Sequence, residues 1–91
     1  MGRDGDSWTT KADDDTVEAA TLRQLLELHP ARLTREELVR ELGGGRSADF
    51  AERDAVERAV RDLEAVGLVH GGDDFVTPTR AALRLSELLD R

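Results

Sequence analysis

The stretch ERAVRDLEAVGLV, residues 57–69, constrains this chain more than any other. Val56, Ala59, Val60 and Leu63 recur at three- and four-residue spacing, which puts one apolar stripe on a helix. Gly67 follows at once, and glycine is the residue that can take the left-handed turn closing a helix. Leu68 then falls where it can touch Leu63, the apolar contact of a Schellman ending. The chain must therefore leave this helix and enter an extended segment within two residues. LVH and FVT, two short β-prone runs, flank GGDD and predict a hairpin. Thr79 after Pro78 predicts the cap of a last helix, RAALRLSELLD.

The upstream half reads as helices. A first helix is expected from Asp15, which has capping-box spacing to Glu18. Leu22, Leu25, Leu26 and His29 share its face, and Pro30 ends it. Leu33 is expected to be briefly extended. Thr34 and Glu37 form a capping box for a second helix with Leu38, Val39 and Leu42 inward. Gly43 is its expected left-handed terminus, and GGGRSAD connects to the third helix. That helix starts either at a cap on Asp49 or as late as Glu52. On the last helix, Ala81, Ala82, Leu85, Leu88 and Leu89 share a face, and Leu83 points about 160° from Leu85. The expected class is α+β, mostly helical: three helices, a hairpin and a C-terminal helix over residues 15–91, after a disordered acidic tail over residues 1–14. Trp8, in that tail, is read as solvated.

This order resembles the winged helix-turn-helix domains of bacterial transcription regulators. The resemblance rests on LTREELVRELG followed by AVERAVRDLEAVGLVHGGDDFVTPTRAAL, and covers residues 16–90. It is the general pattern shared by the MarR, ArsR and PadR groups, without a close match to one of them. It implies that the second helix braces the site and the amino end of the third enters the major groove. The hairpin would be a wing lying on a phosphate backbone or in the minor groove. The implied function is a small DNA-binding protein that regulates transcription. The alternative is a winged helix used for protein interaction or dimerisation, since one fold serves many functions.

Charge bears directly on that choice. The chain carries a formal charge of −7, and after residue 15 it holds fifteen acids against eleven arginines. Arg53, Arg58 and Arg61 lie opposite the third helix's apolar stripe, among Asp54 and Glu57. Arginine is suited to bidentate contact with guanine. Asp54 can instead pair with Arg58, and Glu57 with Arg61, each pair worth roughly 0.2–0.5 kcal/mol. Thr34, Arg35, Arg46 and Arg80 are the candidate phosphate contacts. The tip HGGDD has no Lys or Arg, and its acids suit a protein partner better than a phosphate backbone. A positive strip over Arg35, Arg46, Arg58 and Arg61 marks a DNA surface, and a broken strip marks protein docking.

An exposed Leu83 and the leucines of the first and last helices suggest a homodimer, which would fit a palindromic double-stranded DNA site; the favoured reading for all of them except Leu83 is that they complete the monomer core. No catalytic constellation stands out, so an enzyme is not expected. His29 and His70 lack ligand-spaced partners, GGGRS lacks the lysine and spacing of a phosphate loop, and no metal or cofactor is expected. The chain has no cysteine, which excludes disulfides and thiolate sites. No run approaches the roughly 18 apolar residues of a membrane span. The residues MGRDGDSW contain no apolar leader core. A cytoplasmic protein is expected.

Overall fold

A computed structural model describes residues 2–43, 50–72 and 74–90, with side chains from residue 14 onward. The elements are α1 (Gly2–Leu28), β1 (Leu33–Thr34), α2 (Arg35–Leu42), α3 (Phe50–Ala65), β2 (Val69–Gly71), β3 (Phe75–Pro78) and α4 (Arg80–Leu89). The fold is α+β and mostly helical, with four helices and a three-stranded antiparallel sheet. Arg46 and Asp49 lie outside the described residues, as do the side chains of Trp8 and the rest of the expected tail before Asp14.

Local chemistry places most boundaries. The Thr34 hydroxyl accepts from Glu37 N–H at 3.1 Å, and the Glu37 carboxylate accepts from Thr34 N–H at 2.8 Å. That is the expected capping box at the start of α2. At the end of α3, Gly67 has φ +84°. Its N–H donates to Glu64 O, and Leu68 N–H donates to Leu63 O at 2.9 Å, the two bonds of a Schellman ending. Thr79 caps α4 by accepting from Ala82 N–H.

Two boundaries differ from expectation, and a third follows the earlier of its two readings. The helix start expected at Asp15 lies inside α1, because nothing between Lys11 and Val17 is a glycine or proline to break the backbone ladder. Phe50 opens α3, ahead of the later alternative at Glu52. Gly43 closes α2 with φ −88°, not in the left-handed region. Its N–H still reaches Val39 O at 3.0 Å, so the last turn closes without a left-handed residue.

The core gathers Leu25, Leu38, Val39, Val56, Val60, Leu63, Val69 and Val76. Each such side chain contributes about 1.5–3 kcal/mol when fully buried. The α3 stripe is buried as expected. In the sheet, β3 lies between β1 and β2, with Leu33 opposite Val76 and His70 opposite Thr77. Thr21 of α1 is fully buried in addition, and its hydroxyl has no hydrogen-bond partner among the described residues.

Helix α4 reverses the expected pattern. Ala82 is its buried residue, while Leu85, Leu88 and Leu89 are exposed and Leu83 is half-buried. Periodicity puts Leu85, Leu88 and Leu89 on one strip, but the body covers the helix along Ala82, Leu83 and Ser86 instead. No described helix is long and apolar enough to cross a membrane.

Candidate functional site

The outward side of α3 is where the candidate arginines meet the rest of the chain. Most of them are already engaged. Arg35, at the start of α2, places its Nε 3.3 Å from the Glu57 carboxylate and donates from Nη1 to Gly72 O at 2.9 Å. It therefore ties α2, α3 and the β2–β3 hairpin together. Glu64 joins the same corner by accepting from Gly71 N–H at 3.3 Å. A Cβ at Gly71 would lie 3.0 Å from the side-chain ends of both Arg35 and Glu64, which would have to shift to admit it.

Arg53 reaches Glu36 of α2 at 3.3 Å. Arg58 holds two carboxylates, Asp14 of α1 at 3.0 Å and Asp54 one turn earlier on its own helix. The hydrogen bond and charge of Asp14, and then Asp54, raise the Arg58 pKa above its ordinary value. The guanidinium is thus a fixed cation at every pH the fold experiences.

The expected Asp54–Arg58 pair is present. The expected Glu57–Arg61 pair is not, because Glu57 turns across to Arg35. Arg61 is left exposed with no partner among the described residues, and Arg80 likewise. Thr34 spends its hydroxyl on the α2 cap. The structure brings Arg35, Arg53 and Arg58 to the α2–α3 face, but each arrives with an acid. Helix α3 as a whole has Glu52, Asp54, Glu57, Asp62 and Glu64 against Arg53, Arg58 and Arg61. Beside it, Asp74 on the hairpin is exposed.

Sequence reading missed Asp14 as a partner of Arg58, Glu36 as a partner of Arg53, and the Arg35 corner. These pairs join different elements, so no helical spacing announces them. It also missed Arg32, whose guanidinium carbon lies 5.3 Å from the Phe75 ring centroid. Proximity to an aromatic across a strand leaves no periodic trace.

Two apolar features complete the surface. A groove of about 410 Å³ between α1, α2 and α3 is walled mainly by Val17, Ala20, Val39, Leu42, Ala55 and Val56. The leucine strip of α4 lies outside it. Among the described residues, no group of three or more His, Cys, Asp or Glu is placed to hold a metal ion. The chain matches no family model, no curated protein and no solved structure.

Proposed function

We propose that this chain is a winged-helix module that works by binding protein, and that the first partner is a second copy of itself. The observation that carries the reading is the state of the arginines: Arg35, Arg53 and Arg58 are each held by a carboxylate of the same chain. A phosphate approaching this face must displace Glu57, Glu36, Asp14 or Asp54 and then sit beside them. Exchanging one anion for another in solvent returns little free energy, since exposed ion pairs are worth about 0–1 kcal/mol. The counterion release that drives DNA binding needs a local excess of cations, and α3 has an excess of acids.

The partner surface is the α4 strip. Leu89 is 75% exposed, Leu88 48% and Leu85 44%, and Leu28 at the end of α1 is also exposed. Half-buried Leu83 lies on the same helix. Arg84 and Glu87 satisfy each other at 3.1 Å, so neither needs a charged partner when the strip is covered. A two-fold contact matches such a strip with itself. Sedimentation of the full chain across a concentration series tests this. A monomer at every concentration up to about 1 mM, weaker than which no specific dimer is useful, overturns it.

Duplex DNA is the second reading, favoured by the exposed and unpartnered Arg61 and Arg80. A titration of fluorescent genomic DNA at about 50 mM salt separates the two, because even non-specific binders reach roughly 10⁻⁴–10⁻⁶ M. Binding in that range, lost on adding salt and weakened by Arg61→Ala, would establish the DNA reading. No binding at tens of micromolar protein removes it.

A further inference from the structure

The outer face of the β2–β3 hairpin carries a polar cluster that neither the α3 face nor the α4 strip uses. Strand alternation creates it. Val69 and Val76 are buried, so His70, Phe75 and Thr77 point the other way. Pairing sets His70 directly across from Thr77. Arg32, just before β1, lies over the Phe75 ring. Together with Gly72 and Asp74 these residues line a shallow cup of about 360 Å³.

The polar groups of the cup are unspent. Among the described residues, the side chains of Arg32, Asp74, His70 and Thr77 make no hydrogen bond or ion pair within the chain. Phe75 holds the Arg32 guanidinium over its ring, and a guanidinium with no acid of its own suits a carboxylate. Arg32 and Asp74 thus line one cup without pairing with each other.

That arrangement selects a ligand by its charges. A simple carboxylate satisfies Arg32 and meets repulsion from Asp74. A simple cation does the reverse. A phosphate dianion suffers more from Asp74 than a carboxylate does. A molecule carrying a carboxylate and an ammonium close together satisfies both walls. We infer that the cup binds the zwitterionic head of a free α-amino acid. The carboxylate sits on Arg32, with Thr77 O–H and His70 as further donors, and the ammonium sits on Asp74. The cup is open to solvent, so the charges are screened and affinity is weak, with Kd on the order of tens of millimolar. The inference does not depend on which macromolecule the module binds.

Glycine is the minimal probe, with the isotope-labelled full chain followed through the backbone amide resonances of His70, Asp74 and Thr77. Saturable shifts are expected below about 100 mM glycine. N-Acetylglycine lacks the ammonium and glycine methyl ester lacks the carboxylate; each binds roughly fivefold more weakly or less well still. Asp74→Asn erases the preference for glycine over N-acetylglycine, and Arg32→Gln abolishes saturable binding of both. Both positions are exposed, and an unchanged amide spectrum elsewhere verifies the fold of each variant. The inference is overturned if glycine gives no saturable shift, if N-acetylglycine or inorganic phosphate binds as tightly as glycine, or if both variants bind glycine like the native chain.

Discussion

Thr21 is the residue whose chemistry fits its surroundings least. It is fully buried within α1, yet its hydroxyl has no partner among the described residues. A buried hydroxyl left unsatisfied costs about 1–3 kcal/mol. Valine has nearly the same shape and no such group. Thr21→Val is therefore expected to stabilise the domain by about 1 kcal/mol, read as a higher denaturant midpoint at unchanged slope. A fall in the midpoint means that the hydroxyl finds a partner in solution. Arg58 is the opposite case, a side chain with more partners than it needs. It joins α1 to α3 through Asp14, 44 residues away in sequence. Both groups are substantially exposed, so Arg58→Ala should lower the denaturant midpoint only slightly at low salt and less at high salt. A large fall in the midpoint that persists at high salt would show that the bridge carries more than a screened pair can.

Elements are where sequence spoke most clearly, because their ends are decided over three to five residues. Gly67 has φ +84° and open space where a methyl group would sit, so Gly67→Ala meets only backbone strain. The expected loss is about 1–2 kcal/mol, measured by thermal or chemical denaturation. Thr34→Ala removes a side-chain acceptor from the α2 start and is expected to cost about 1 kcal/mol. Both sites were legible because each bond in them spans at most five residues. The arginine partners were not legible: Arg53 and Glu36 are seventeen residues apart, and which acid they meet depends on how α2 crosses α3. The α4 leucines were misread for a related reason. A 3.6-residue period says which side chains lie together, but only packing decides whether the body covers them. The cup on the hairpin was hidden likewise, since its members come from the β1 approach, both hairpin strands and the turn.

At the scale of the whole molecule, the buried core and the acid-paired α3 face leave the leucines of α4 exposed at the edge of the body. Leu88→Ser with Leu89→Ser should lower self-association at least tenfold, since two leucines together supply more than about 1.4 kcal/mol of burial. Because both are exposed in the single chain, its helical circular dichroism should stay unchanged. Sedimentation and dichroism on the same samples check the pair of outcomes, and an unaltered association constant moves the contact away from α4.

Thr79 gives this surface an unusual mechanical setting. Its hydroxyl donates to Gly67 O at 2.8 Å and accepts from Ala82 N–H, while its own N–H donates to Leu68 O. One residue thus fastens the root of α4 to the end of α3, and the ten-residue helix projects from that point. Such a helix is a lever about 15 Å long. A tilt of about 10° at its root sweeps the Leu89 end through roughly 2.5 Å, half a helical turn. In a pair of copies joined by α4, the separation and angle of the two bodies are then steered from Thr79, so a conservative change to serine there can alter quaternary geometry while leaving the contacting leucines themselves untouched.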